Sequence, residues 1–282
     1  MQQSKVPSFD EQFPILNQFI LELVDLYRIG DLNSWDELDK EVKAFFTPEC
    51  MDAMEDLVPG WRKMASYSEG ITLTHVMCVF LGVFMLPEFQ TLTPAEQQIA
   101  KWFVLFHDLD KFHIRGKKDS MHAFNSAMKT ANLLPRFGFI VTEQYPELIH
   151  SWSEITAQAY IAQAGDAAPK PDNHKLPEIL MGIDQMYGEN TPAALITRVV
   201  LFHISLNIDP AYPTPAQLTP AEIKSFITPS LFRLLKIMLL GDIEGWNLFD
   251  SERRKRQNNY AISAFQELEK IIDRRSNNVE RP

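Results

Sequence analysis

The pair His107-Asp108 is the first feature of this chain with chemical meaning. It follows the apolar run Val104-Leu105-Phe106 and precedes Leu109-Asp110-Lys111. A buried, ionised carboxylate is too costly to leave unpaired. A bound cation removes that cost, because imidazole and carboxylate are both good ligands for divalent transition metals. The pair therefore predicts a metal site beside a buried helix.

Further potential ligands lie far away along the chain, several of them in apolar surroundings with helical spacing. They are His75, His122, His203 and Asp242. The gap between His122 and His203 is long, so His150 competes with His203 for its role. Together these residues predict a metal-centred active site in an all-helical enzyme.

The elements that must position these residues are helices, because apolar side chains recur at helical spacing along almost the whole chain. Two Thr-Pro-Ala-Glu sequences, at 93–96 and 219–222, have the N-cap Thr, first-position Pro and third-position Glu of a helix start. No hairpin signal is convincing, although residues 137–141 have strand-like types, and 164–175 is the best linker. The predicted fold class is all-α, with helices at about 13–26, 35–46, 71–85, 93–106, 121–134, from 147, from 191, 230–246 and 252–274.

Composition limits the possible partners and compartment. The 282 residues fit a single helical domain, and the net charge of −10 argues against binding to DNA or RNA backbones but not against a small phosphorylated ligand. Two cysteines are too few for a disulfide framework or a zinc knuckle. The start of the chain lacks a signal-peptide pattern, and the longest apolar stretch falls short of the ~20 residues that cross a bilayer. We expect a cytoplasmic protein without a membrane partner.

The order His … His-Asp … His … His … Asp resembles the HD-domain superfamily of metal-dependent phosphohydrolases. The best local matches are His107-Asp108-x-x-Lys111, and His122 followed by the small residues Ser126 and Ala127. The resemblance implies an HD-like helical bundle over about 71–250, with additional helices and an insertion at about 135–190. One departure is Asp110, where the family usually has a small residue. It adds a carboxylate close to the predicted metal, which could alter the local charge or the placement of the lysine.

The resemblance also implies roles for individual residues. His75, His107, Asp108 and Asp242 would hold one metal ion, while His122 and His203 (or His150) would help to hold a second, with Asp108 as a bridge. Asp108 and Lys111 would be catalytic, and Lys111 would neutralise phosphate oxygens or orient the nucleophile. Arg115, in a basic loop with Lys117 and Lys118, would extend the positive field and bind substrate. Mixed nitrogen and oxygen ligation favours Fe, Mn, Co, Ni or Zn over Mg alone.

The expected function is hydrolysis of a phosphate ester of a nucleotide or related small molecule, as a phosphatase or phosphodiesterase with metal-bound water as nucleophile. Two alternatives stay open. A di-iron oxygenase on the same scaffold would consume oxygen, and a non-catalytic signalling or scaffold domain would be favoured by an absence of bound metal. The aromatic stripes, including Trp102, Phe202 and Trp246, are expected to lie in the core, although Trp246 could edge the active-site pocket.

Overall fold

The computed structural model describes residues 5–111, 119–161, 170–206 and 217–279. Over these ranges the chain is all-α, which confirms the predicted fold class. Its α-helices are α1 (Phe9–Gln12), α2 (Pro14–Ile29), α3 (Trp35–Phe45), α4 (Pro48–Leu57), α5 (Trp61–Ser66), α6 (Ile71–Met85), α7 (Pro87–Gln90), α8 (Pro94–Phe106), α9 (His122–Leu133), α10 (Tyr145–Gln158), α11 (Leu176–Tyr187), α12 (Pro192–Phe202), α13 (Pro220–Phe226), α14 (Pro229–Asn247) and α15 (Ser251–Val279).

Short elements complete the described chain. Three 3-10 turns occur at Tyr67–Gly70, Leu134–Phe137 and Asn173–Lys175. Two two-residue strands, β1 (Tyr160–Ile161) and β2 (Lys170–Pro171), pair antiparallel. The second strand and the third turn fall in the predicted linker, of which residues 164–169 lie outside the described ranges.

The two predicted helix starts form complete capping boxes. At Thr93 and at Thr219 the hydroxyl accepts from the backbone N–H of the Glu three residues later, and the Glu carboxylate accepts from the Thr backbone N–H. At the N-terminus of each of these two helices, two backbone N–H donors and two side-chain acceptors are thereby satisfied by neighbours in the sequence. Helices α8 and α13 consequently begin where the sequence indicates.

The strand-like residues 137–141 are not a strand. The 3-10 turn ends at Phe137, and the irregular residues that follow lead to α10. The rings of Phe137 and Phe139 contact the indole of Trp102 on α8, with centroids 4.9 and 5.4 Å away. Packing against an aromatic helix face therefore buries these side chains without strand pairing.

The centre of the fold is α6, in which every residue from Thr72 to Phe84 is buried. Helix α14 packs against it at glycines. A Cβ added at Gly245 would lie 2.6 Å from Cε1 of His75, and one added at Gly241 would lie 2.4 Å from Cγ2 of Val83. The missing side chains let the two backbones approach closely. This contact brings Asp242 on α14 next to His75 on α6.

Within the described ranges one helical stretch, Trp61–Met85, is long and apolar enough to cross a membrane by length and composition. Most of its apolar window, 72%, is buried inside the protein. Core helices meet the same criterion, so this feature is weak evidence of a membrane span.

Candidate metal centre

The structure brings all six predicted metal ligands to one place. They form two groups, which we name the rim triad (His75, His107 and Asp242) and the inner triad (Asp108, His122 and His203). Within each triad the potential ligand atoms all lie within 4.8 Å of one another. Helices α8 and α12 end at His107 and His203, and α9 begins at His122, so helix ends converge beside the α6–α14 contact.

Backbone carbonyls orient all four imidazoles through Nδ1. The Nδ1 to oxygen distances are 2.8 Å for His107 and Val104, 2.7 Å for His203 and Val200, 2.6 Å for His122 and Asp119, and 3.2 Å for His75 and Gly245. A carbonyl can only accept, so Nδ1 of His107, His122 and His203 carries the proton and donates it. In the neutral form of these three rings Nε2 then has a free lone pair, and a carbonyl that fixes the ring through Nδ1 is typical of histidine metal ligands. The ring of His75 lies between two acceptors, because Oδ1 of Asp242 is 2.9 Å from its Nε2.

The carboxylate of Asp108 lies between the triads. Its Oδ2 is 3.7 Å from Nε2 of His75 and 3.5 Å from Nε2 of His107. Its Oδ1 is 3.4 Å from Nε2 of His122 and 3.8 Å from Nε2 of His203. One oxygen therefore faces the histidines of each triad, which is the arrangement of a carboxylate able to bridge two cations.

Several inward atoms have no hydrogen-bond partner among the described residues. They are Nε2 of His75, Nε2 of His107 and Oδ1 of Asp108, all fully buried. The Nε2 atoms of His122 and His203 also face each other at 3.1 Å. Two lone pairs at that separation repel unless a proton or a cation lies between them. Because buried polar atoms are normally satisfied, this donor-poor, acceptor-rich centre fits a metal ion.

Burial keeps the ligands in the protonation states that metals require. It lowers the pKa of His107 to about 4 and that of His122 to about 3, so both imidazoles are neutral at neutral pH. Burial alone would raise the pKa of Asp108, but the Lys111 ammonium, 2.6 Å from Oδ2, holds it well below its ordinary value. Neutral imidazoles and ionised carboxylates are the metal-binding forms.

The charge of the centre also favours a cation. Burial alone would lower the pKa of Lys111, yet the carboxylates of Asp108 and Asp242 raise it, so the ammonium stays charged. Burial would likewise raise the pKa of Asp242, but its contact with His75, 2.9 Å from Nε2, and the nearby Lys111 hold it below its ordinary value. Two negative carboxylates thus outweigh one positive ammonium, and the C-terminal ends of α8 and α12 add negative partial charge.

The described part of the centre is open on one side. The imidazoles and Asp108 are buried, whereas the side chains of Asp242 and Lys111 are 32% and 22% exposed. Trp246 is 44% exposed, so of its two expected places, the core and the edge of the pocket, it takes the edge. It follows Asp242 by one helical turn and lies against the His75 ring, with centroids 4.2 Å apart. The same turn that carries a ligand to the centre therefore carries this indole to the rim.

Two further candidates fall outside the cluster or outside the described chain. His150 lies on α10 with a side chain that is 79% exposed, and its nearest charged partner is Glu154 at 3.6 Å. Of the two candidates for the second-metal role, His203 and His150, only His203 lies within the cluster. Arg115, with Lys117 and Lys118, lies outside the described residues, and its substrate-binding role stays a prediction.

Asp110 turns away from both triads. Its Oδ1 contacts Nζ of Lys129 on α9 and lies 3.6 Å from Nζ of Lys63 on α5. Its backbone N–H donates to Oγ of Ser126, 3.0 Å away on α9. The extra carboxylate is therefore neutralised by lysines and ties the His-Asp turn to the helix that carries His122.

Two signals in the sequence were missed. The tetrapeptide Val-Leu-Phe-His occurs at 104–107 and again at 200–203. Both copies end a helix with the histidine Nδ1 bonded to the valine carbonyl three residues earlier. This repeat could have singled out His203 over His150. The spacing Gly241-Asp242-x-x-Gly245 likewise marked a close helix contact around a ligand.

No protein-family model, curated protein or solved structure that was compared matches this chain. The likeness to the HD-domain superfamily accordingly rests on the order of the ligands and on the motif around His107-Asp108. What the chain does must be argued from the geometry of the centre.

Proposed function

We propose that this protein is a metal-dependent phosphohydrolase of the HD type, acting on a phosphate ester of a nucleotide or related small molecule. The observation that carries the proposal is the position of Asp108, with one oxygen toward the histidines of each triad and Lys111 beside it. A bridging carboxylate flanked by neutral imidazoles suits a pair of divalent cations, and the mixed ligand set favours Fe, Mn, Co, Ni or Zn.

Divalent ions at the two triads would lower the pKa of water toward neutrality, supply hydroxide for attack on phosphorus and stabilise charge on the phosphate oxygens. The protein residues then have separable tasks. Asp108 sets the separation of the triads, and the four carbonyl-bound imidazoles keep the ligand atoms aimed inward. Preorganised ligands of this kind need no rearrangement when charge develops during the reaction.

Lys111 is the group best placed to meet the phosphate. Its ammonium lies on the open side, 2.6 Å from Oδ2 of Asp108, and remains charged. An ammonium offers three donors, and Asp108 uses one of them. The others can bind phosphate oxygens that arrive past Asp242, so Lys111 both balances the bridging carboxylate and orients the ester.

The test joins metal analysis to a substrate screen. We expect the purified chain to retain stoichiometric transition metal. After loading with Mn²⁺, Fe²⁺, Co²⁺ or Zn²⁺ under nitrogen, it should release phosphate or cleave a phosphodiester in a panel of phosphomonoesters, cyclic dinucleotides and nucleoside triphosphates. Lys111→Met should lower turnover by about 10²-fold with little loss of metal, because an electrostatic contact to the reacting group is removed. His150→Ala, an exposed histidine, is the matched control and should change neither.

Other outcomes assign the alternatives. Oxygen consumption by the iron-loaded protein, without hydrolysis of any ester, would support the di-iron oxygenase. Stoichiometric metal with neither reaction would overturn the hydrolytic function but not the metal centre. Failure to retain any metal would overturn the proposed centre itself and favour the non-catalytic signalling or scaffold domain.

A further inference from the structure

A column of three aromatic rings begins at the metal centre. The imidazole of His75 is stacked on the indole of Trp246, with centroids 4.2 Å apart and planes inclined by 19°. Trp246 is in turn stacked with Trp35, at 5.7 Å and 7°. Trp35 is the first residue of α3, and Ser34 fixes that start by accepting from the backbone N–H of Glu37. The outermost ring is thus held by an element that supplies no metal ligand.

The exposure of Trp246 sets it apart from the three core tryptophans, and Trp35 is partly buried. Trp61, Trp102 and Trp152 are each no more than 1% exposed, whereas Trp246 is 44% exposed. An indole at a surface leaves a large apolar area in water, and such residues are enriched where another molecule binds. One apolar side chain would be enough to shield His75 from water. Shielding therefore does not explain why a second indole, Trp35, extends the stack.

The position of the column relative to Lys111 indicates the kind of molecule it would meet. Nζ of Lys111 lies 5.8 Å from the centroid of the Trp246 ring, so a contact for phosphate and a contact for an aromatic ring are adjacent. Indole faces and edges bind planar π systems, and aromatic side chains stack on nucleobases regardless of base sequence. A nucleotide carries both groups in one small molecule.

We propose that Trp35 and Trp246 form a base-binding wall that selects phosphate esters bearing a nucleobase over those without one. This inference rests on the proposed function, because it concerns the substrate of the same site. Trp246 contacts a metal ligand, but Trp35 is one ring removed from it. Replacing Trp35 therefore tests selection of the substrate with the least disturbance of the centre.

The experiment compares a nucleoside monophosphate with ribose 5-phosphate, which presents a phosphate and a sugar but no base. For Trp35→Ala and Trp246→Ala we expect KM for the nucleotide to rise about tenfold, the loss of one stacking contact. For Trp35→Ala, KM for ribose 5-phosphate and kcat for both compounds should stay within about twofold, since Trp35 is one ring removed from the metal centre and from the reacting phosphate. Trp246→Phe should restore most of the nucleotide affinity. Tyr260→Ala removes an aromatic residue of similar exposure on α15 and should have no effect.

Metal content is measured for every variant. Equal losses for both compounds, or no change for either, would overturn the base-binding wall while leaving hydrolysis intact. If the wild type hydrolyses neither compound, binding of each is measured by quenching of tryptophan fluorescence and by calorimetry. Tighter binding of the nucleotide that Trp35→Ala abolishes would support the wall although the hydrolytic function had failed. No preference for the nucleotide in binding would overturn it.

Discussion

The two triads are built in different ways. In the rim triad, His75 and Asp242 lie within α6 and α14, and their approach depends on the glycines at that helix crossing. In the inner triad, Asp108, His122 and His203 all lie at helix ends, and local carbonyl bonds orient the two imidazoles. The rim triad includes the partly exposed Asp242, whereas the inner triad is buried.

The two triads therefore illustrate two ways of positioning candidate metal ligands, at helix ends and at a helix crossing. A ligand at a helix end is oriented by a carbonyl three residues away, so its aim survives small shifts of the helices. A ligand at a helix crossing keeps its place only while the two backbones stay in contact. All three residues of the inner triad lie at helix ends, but in the rim triad only His107 does. The inner triad is therefore expected to be the more rigid and the slower to exchange a cation, and the rim triad the one that meets solvent and substrate.

The largest effect is expected at the residue that the triads share. Asp108→Ala should reduce metal content to background and abolish turnover. Among the described residues, Asp108 has the only carboxylate that faces the histidines of both triads. His107→Ala removes a ligand of the rim triad alone and should lower the metal content by about one ion. Metal analysis and far-UV circular dichroism are the measurements, and both variants should stay folded. Wild-type metal content in either variant would contradict the shared centre.

The next effect distinguishes the triads from each other. His203→Ala should remove the inner ion and His75→Ala the rim ion, so each variant should retain about one ion where the wild type retains about two. With a chelator, the ion left in His203→Ala, at the rim, should dissociate faster than the ion left in His75→Ala. Stopped-flow chelation with a coloured chelator measures both rates. Equal dissociation rates would contradict the proposal that the rim ion is more exposed than the inner ion.

A pH effect should follow from two buried imidazoles, His107 of the rim triad and His122 of the inner triad. The pKa of His107 is about 4 and that of His122 about 3 in the folded protein, against an ordinary value of 6.5. Below pH 6.5 the unfolded chain therefore binds protons that the folded chain does not, and the metal-free protein loses stability as the pH falls. Between pH 7.5 and 5 we expect a loss of up to about 2 kcal/mol for each histidine.

Urea unfolding of the metal-free protein at the two pH values measures this loss. His122→Phe should remove its own share of the pH dependence and leave that of His107. An unfolding free energy that is independent of pH between 7.5 and 5 would show that these imidazoles are not buried as neutral groups.

The smallest effect is expected at the connection between the His-Asp turn and α9. Asp110→Asn keeps the side-chain shape but removes the charge that meets Lys129 and Lys63. The free energy of unfolding should fall by about 1 kcal/mol, since the pair is only partly screened. Asp25→Asn, at an exposed pair with Arg28, is the control and should change little. Loss of the inner ion from Asp110→Asn would mean that this connection positions the triad as well as stabilising it.

The sequence by itself determined the types of the candidate ligands, the all-α fold and several helix starts. The capping boxes at Thr93 and Thr219 involve residues three positions apart, so neighbours in the chain decide them. The apolar stretch around His75 likewise predicts a buried helix, whichever helices surround it, because a helix that is apolar on all sides belongs in the interior.

Only the tertiary structure decided how the ligands divide between two triads, that His203 and not His150 joins them, that Asp110 turns toward lysines and that Trp246 reaches the rim. Each of these depends on contacts between helices distant in the sequence. Hydrophobic periodicity specifies which face of a helix is buried, but it does not specify which other helix covers that face. The approach of α14 to α6 at Gly245 was a matter of packing between backbones, and it set the position of Asp242.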